Sequence, residues 1–491
     1  MISSRQSLFP EVGSFVITVA ATVALYLTGR FVYNLYLHPL SRYPGPLLHR
    51  ATRVAMIYKV LRGTSPVDVK NLHDHYGPVV RIAYNELSFL EAQAWKDIYS
   101  YGSGSVNKAE MSKYNKFYRD PGALPSLLSE TKKNHSMLRH QLAAGFSERA
   151  MRKQEPIISG YVDLLISKLR ERGKCKVDIK DWYNWTTFDI IGDLAFGESF
   201  GCLNAAGYDP WVKLIFATIK IRVIMQAIKY MGLESLAFPI MKLAKLRARK
   251  EHAARVTEKL EKRVNMGHRG DLIQCLLEME DLRLDMDRLR SNSSLLTVAG
   301  SETTATLLSG VTYLLLKNSA AWKRLVNEVR LAFKSDAEIT LLSAQKLPYL
   351  RACLDEGLRR YPPVPIGMPR VVPKGGAWIA GHFVPQDTIV ACWHYAMTHS
   401  DGHWSRPYSF DPDRFLDQGD RDDCLEAFQP FSVGPRNCIG INLAYAEMRL
   451  ILARIVFNFD LCLADPDEDW LRQKAYLVWD KPALNVFLKP V

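Results

Sequence analysis

Phe431-Ser-Val-Gly-Pro-Arg-Asn-Cys-Ile-Gly440 is the stretch on which the reading of this chain turns. Gly434 and Gly440 flank Cys438, so the backbone there can turn sharply and approach another body closely. Just downstream, Leu443, Met448, Ile451, Leu452 and Ile455 recur at helical spacing, which predicts a helix beginning past the cysteine. Free amides at a helix N-terminus, with Arg436 nearby, favour the thiolate. A thiolate on a loop shaped to face a flat partner suits iron ligation. An inert buried cysteine would not explain the joint pattern of Phe431, Gly434, Arg436, Cys438 and Gly440.

Other segments can be read independently. Leu295–Leu316 is 22 residues long with Glu302 as its only charge. Such a helix is either the centre of a large domain or a membrane span. A mid-span carboxylate, with many hydroxyls and two glycines beside it, favours the buried central helix. Within it, Ala299-Gly-Ser-Glu-Thr-Thr304 sets an acid beside an alcohol. Gly300 would let an object or water approach the backbone, and Thr303 would open the helix locally by trading a backbone bond for water. Glu302 and Thr303 are therefore candidates for a proton relay, against the alternative of a kink with incidental polar residues. Glu356 and Arg359 face each other at i,i+3 on a helix whose apolar face is Leu350, Cys353, Leu354 and Leu358. His135 and Arg139 share a helix face at i,i+4, and Arg370 follows Met368-Pro369.

Taken in order, these segments resemble the cytochrome P450 family. The decapeptide is similar to its heme-binding signature FxxGxRxCxG at all five fixed positions, and Ala299–Thr304 to its oxygen-activating AGx(D/E)TT. Glu356–Arg359 followed by Pro412-Asp-Arg414-Phe415 resembles its ExxR–PxRF core, and His135–Arg139 its (W/H)xxxR, with His in place of the commoner Trp. The resemblance spans nearly the whole chain. It implies heme b (iron protoporphyrin IX) with Cys438 as axial ligand, Phe431 near the sulfur, and Arg436, Arg139, His135 and Arg370 toward the propionates. Glu302 and Thr303 would deliver protons, and Glu356, Arg359 and Arg414 would form a buried ionic cluster without a catalytic part. The implied fold is mainly α with minor β: a large single catalytic domain, residues 39–491, behind an N-terminal membrane anchor, residues 1–38.

The implied activity is insertion of one oxygen atom from O2 into an apolar small molecule. The stretches Arg370–Val384, Asn442–Arg454 and Gln473–Leu484 look like the fungal secondary-metabolism branch, trichothecene-type hydroxylases included, which implies a terpenoid or polyketide substrate. Expected pocket residues are the Tyr101–Leu128 loop, Leu295, Val298, Val364–Met368 and Tyr476–Trp479. A same-fold enzyme that rearranges or dehydrates its substrate without external reductant is an alternative, against which the intact Ala299–Thr304 segment argues.

The 491 residues are 48% hydrophobic and 23% charged, with eight scattered cysteines and no CxxC, which excludes disorder and a dense disulfide framework. A length-based prior suggests three domains, but no long linker or repeat divides the chain after Pro46. Ala377–Ile379, Phe383–Val384 and Thr388–Trp393 read as strands among helices.

From Val12 to Gly29 no residue is charged, a span of about 27 Å as a helix. Arg30, Arg42, Arg50 and Arg53 follow it and only Arg5 precedes it, an asymmetry that predicts a single-pass anchor with the body in the cytosol; a cleaved signal peptide is the alternative. Together with the family resemblance this implies the endoplasmic reticulum membrane.

The net charge of +13 suits an anionic surface of some kind. Lys242–Arg263 is a basic run without Phe, Tyr or Trp, which fits a solvated helix face better than nucleic-acid binding, and no nucleic-acid partner is expected. Preceding it, Ile221–Leu246 is mixed apolar and basic, suited to core or to a membrane surface. A membrane-tethered basic binding protein is the reading from a different class. No GxGxxG, Walker A, GxSxG or HExxH motif is present, so electrons must come from another protein, by the resemblance NADPH-cytochrome reductase. Lys132, Lys133, Arg139, Arg152 and Lys153 would suit its acidic surface.

Overall fold

The computed structural model describes residues 9–100, 106, 109–119, 124–235, 254–277, 286–416 and 422–491. Arg5, parts of the Tyr101–Leu128 loop, the 236–246 end of Ile221–Leu246 and the basic run from Lys242 to Lys250 lie outside the described residues.

The apolar N-terminal run forms the helix Phe9–Val32, which passes into a π-helical turn at Tyr33–Leu37. Its apolar window has a mean hydropathy of 1.8 and none of it is buried, so by length and composition it suffices to cross a membrane. The exit is pinned to the body: Asn34 Nδ2 donates to the Ala51 carbonyl at 2.8 Å, and Arg50 donates to the carbonyls of Leu35 and Ser41. Arg50 thus serves the joint as well as the charge asymmetry.

The uncharged segment is the core of the helix Met286–Lys317. It packs along the helix Ile179–Phe196, itself buried almost throughout. Four of its hydroxyls are accommodated by bonding the carbonyl one turn back: Thr297 to Ser293, Ser301 to Thr297, Thr303 to Ala299 and Ser309 to Ala305. Two expectations are corrected here. The helix is continuous through Thr303, whose hydroxyl supplements the Ala299 carbonyl without opening the backbone. Gly300 is a helix-packing residue, since a Cβ on it would lie 3.1 Å from Ile191 Cδ1.

Beside the central helix, Pro348–Arg360 carries Glu356 and Arg359, both side chains fully buried. Arg359 donates to both Glu356 oxygens at 2.7 Å and to the carbonyls of Thr398, Pro407 and Ser409. Glu356 Oε1 also accepts from the Asp411 N–H at 2.9 Å and lies 3.5 Å from Arg414 Nε. Arg414 in turn pairs with Asp423 and donates to the carbonyls of Ser405 and Arg406. One ionic cluster therefore fixes the irregular 398–423 chain that leads to the Cys438 loop.

A five-stranded sheet runs in the order Val79–Ala83, Glu86–Phe89, Ile389–Cys392, Arg370–Val371, Ser112–Lys113. Glu86–Phe89 and Ile389–Cys392 are parallel and the other neighbours antiparallel. Its register sets Lys113 opposite Arg370. The hairpin Ala377–Ile379 and His382–Val384 forms where its β-branched and aromatic residues predict it. Cys175, Cys202, Cys353, Cys392, Cys424, Cys438 and Cys462 are free thiols.

Replacing Arg359 by Ala would leave a buried carboxylate and three carbonyls without their partner. The change should cost about 3–5 kcal/mol, read as a lower denaturant midpoint; a wild-type midpoint would remove the cluster from its supporting role.

Candidate heme-thiolate site

Cys438 stands two residues before Gly440, which caps the helix Ile441–Asn458. The loop is held from three sides. Gly434 has φ +78° and packs so tightly on the 99–100 backbone that a Cβ would lie 2.2 Å from the Tyr99 carbonyl oxygen. The Cys438 N–H donates to the Phe431 carbonyl at 2.9 Å, and Arg139 donates to the Asn437 carbonyl at 2.6 Å and to its side chain. Phe431 packs on Tyr445 at 5.2 Å between centroids, and Tyr445 donates to Asp355 at 2.6 Å.

The thiol is itself solvent-accessible, although protein surrounds the loop. That surrounding mass pushes the Cys438 thiol up, while the Gly440 N–H and the Arg139 guanidinium pull it the other way. The helix terminus thus opposes the desolvation without overcoming it. The cation that acts on the sulfur is Arg139, whereas Arg436 turns to Glu110 and to the Glu130 carbonyl.

Arg139, Arg370, Arg436 and Lys113 converge on one region, close enough that all four depress His135. Glu110 is the one carboxylate that pairs with any of them among the described residues, with Arg436 directly and with Arg370 at 3.9 Å. Arg370 donates to the Met111 carbonyl, and its buried Nε has no partner. Burial first, then Arg370 and Arg436, pull the Lys113 ammonium down to about 6. Burial and the same cations hold His135 down to about 3, so it is neutral. His135 is thus a neutral group among cations. Lys113 and Glu110 were missed by sequence reasoning, because a two-residue strand in a polar loop has no periodicity to betray it.

On the central helix, Leu295, Ala299 and Thr303 lie one turn apart and are each at least partly accessible, as are Ser294, Val298 and Gly300 beside them. Glu302 points elsewhere: its Oε1 meets Lys481 Nζ in a buried ion pair and accepts from Thr306 Oγ1 at 3.4 Å. The predicted acid and alcohol are neighbours in sequence that do not bond to each other. Lys481 gave no sequence signal, since Asp480-Lys-Pro482 reads as a surface turn.

A cleft of about 50 Å³ is lined by Met56, Phe117, Val223, Ile366 and Leu477, with Arg53, Glu86, Gln226 and Tyr230 among its polar groups. From Val364–Met368 and Tyr476–Trp479 the cleft takes Ile366, Gly367, Tyr476 and Leu477. Trp479 does not; it is buried, stacks on Tyr361 at 5.3 Å and donates to the Pro362 carbonyl. Leu295 and Val298 pack against the main core.

A mostly helical domain that presents one thiol on a clamped loop beside a buried excess of cations defines a heme-thiolate protein. The chain belongs to the cytochrome P450 family: the family profile described as Cytochrome P450 matches residues 45–486. It is 47% identical over 481 residues to "Cytochrome P450 monooxygenase tpeC" of Talaromyces stipitatus, covering 96% of this chain and 95% of that protein. It is 46% identical to "Cytochrome P450 monooxygenase 1" of Neocamarosporium betae, over 97% and 98% of the two chains. A third relative, "Averantin hydroxylase" of Dothistroma septosporum, is 44% identical over 97% and 91%. The protein is thus a P450 monooxygenase, an oxidoreductase that uses O2 and a redox-partner reductase, and the family implies a heme-thiolate cofactor. Membership removes the reading as a tethered binding protein.

The residues present fit that cofactor: a soft thiol donor, and a buried cation excess with an orphaned Arg370 Nε suited to two carboxylates. Lys113, neutral above about pH 6, should take up a proton when an anion binds beside it. Proton uptake on binding means that affinity falls as pH rises. Hemin titration of the apoprotein between about pH 6 and 8 should show a decline of up to roughly tenfold per pH unit, removed by Lys113→Met; equal affinities would break the link.

Proposed function

We propose that this protein is a membrane-anchored monooxygenase that inserts one oxygen atom into an apolar secondary metabolite, a terpenoid or polyketide intermediate. Cys438 would hold the iron of heme b, with Phe431 beside the sulfur and Arg139, Arg370, Arg436 and Lys113 toward the propionates. His135 would contribute a neutral hydrogen bond. Bound there, the heme supplies O2 activation and transfer of one oxygen atom, which the thiolate promotes.

The protein's own residues have the remaining tasks. Leu295, Ala299 and Thr303 would form the wall on the opposite side, with Thr303 Oγ1 passing protons that Glu302 supplies. Met56, Phe117, Val223, Ile366 and Leu477 give the cleft an apolar side suited to such a substrate, and Arg53, Glu86, Gln226 and Tyr230 give it polar points. One relative's name specifies a hydroxylation, which supports that reaction type over rearrangement or dehydration.

Residues 1–38 would form a single-pass anchor in the endoplasmic reticulum membrane, with residues 39–491 as the catalytic domain in the cytosol. The unburied apolar helix and the arginines after it support this reading. NADPH-cytochrome reductase would supply electrons at the face carrying Lys132, Lys133, Arg152 and Lys153, all exposed. Arg139 is withdrawn from that surface by its bonds to Asn437.

The observation that carries the reading is the Cys438 thiol, presented on a clamped loop with Arg139 beside it. Cys438→Ala should abolish the red-shifted Soret band of the reduced, CO-bound protein; a variant that keeps the band would place the iron on another ligand. Thr303→Ala should retain that band while diverting NADPH-derived electrons to hydrogen peroxide, and fully coupled turnover would remove Thr303 from proton delivery.

A further inference from the structure

Trp393 directly follows the strand Ile389–Cys392 and is 5% exposed. Its indole Nε1 is buried and has no hydrogen-bond partner. An indole nitrogen only donates, so this N–H is satisfied only when an acceptor is brought to it. Buried indoles ordinarily find one. Trp95 and Trp185 also carry an unpartnered Nε1, but neither lines the cleft, whereas Trp393 does.

The ring is held where it stands. The Trp393 backbone bridges Gly367 as an isolated antiparallel pair, and its carbonyl accepts from the Met397 N–H at 2.9 Å. The side chain belongs to the apolar cluster of Met56, Val69, Val80, Ile82 and Ile366. Gly367 lines the same cleft, and a Cβ on it would lie 2.7 Å from Trp393 Nε1. The missing side chain therefore leaves the space beside the donor clear. Other polar groups of the cleft are already engaged: Arg53 pairs with Glu86 and donates to Asn85 at 2.7 Å, and Gln226 donates to the Tyr230 hydroxyl at 2.9 Å. A volume of about 50 Å³ takes one functional group of a ligand, with the rest of the molecule outside it.

We propose that Trp393 is a specificity-determining residue, whose indole N–H, in the space left by Gly367, receives a carbonyl oxygen of the substrate. This rests on the monooxygenase reading and narrows its substrate class to apolar molecules that carry a ketone, quinone or lactone carbonyl. A carbonyl supplies the acceptor without bringing a hydrogen that needs a further partner. A plain hydrocarbon leaves the N–H unmet, at the cost of a buried donor without an acceptor. A carboxylate brings a charge beside Glu86 that Arg53, already paired, does not balance.

The test uses the full-length, heme-loaded protein and two matched probes, fluorenone and fluorene, which share a ring skeleton and differ in the carbonyl. Equilibrium dialysis reads their binding without reference to the iron, and infrared difference spectra read the C=O band of bound fluorenone. In the wild type that band should lie below its position in alkane solvent. Trp393→Phe keeps an aromatic ring and removes the donor. The ratio of fluorenone to fluorene affinity should then fall roughly fivefold, and the band should return toward the alkane position. Gly367→Ala, which sets a methyl group against the N–H, should lower the ratio likewise. An unshifted band, or no fluorenone binding, in the wild type overturns the proposal without recourse to any variant. A ratio that Trp393→Phe leaves unchanged also overturns it and assigns the N–H to water. A normal CO-bound Soret band beside either result confines the failure to Trp393, whereas a missing band fails the heme-thiolate assignment instead.

Discussion

The buried pair of Glu356 and Arg359 is the constraint on which the site depends. Both side chains are removed from water, so each must find all its partners within the protein. Glu356 satisfies much of Arg359, and the remaining guanidinium donors reach three backbone carbonyls in the irregular 398–409 chain. Arg414 extends the arrangement to Asp423 and to the backbone just ahead of the Cys438 loop. A segment with little regular structure is thereby fixed through its own backbone carbonyls. Side-chain charge replaces the missing backbone ladder.

The cation cluster works on the opposite principle. There the charges are incompletely matched: Arg370 has an unpartnered Nε and Lys113 is pulled toward neutrality. Burying like charges together is unfavourable, and the fold tolerates it because Glu110, backbone carbonyls and aromatic rings share the load. Such an arrangement gains by receiving an anion. The bracing cluster sets a carboxylate against each of its arginines, whereas the cation cluster has only Glu110 among the described residues.

The helix geometry also separates two residues that look like a pair. Glu302 and Thr303 are adjacent, and adjacent positions on an α-helix are about 100° apart. Thr303 accordingly lies on an accessible face while Glu302 faces Lys481 and Thr306. Adjacent polar residues suggested direct cooperation, but the rotation per residue requires one side chain to move before the two can act together.

The amino-acid sequence by itself determined the elements whose signals are local. The glycines around Cys438, the apolar run broken only by Glu302, the hairpin at Ala377–Val384 and the uncharged N-terminal helix are all written in composition or spacing. Only the tertiary structure decided the partners drawn from distant parts of the chain. Sheet register sets Lys113 opposite Arg370, and a surface loop carries Lys481 to Glu302. A lysine in a polar turn has the same local signature whether it stays in water or reaches inward. Its role is fixed by which buried charge the folded chain brings within reach, because an ion pair forms through space and leaves no periodicity in the sequence.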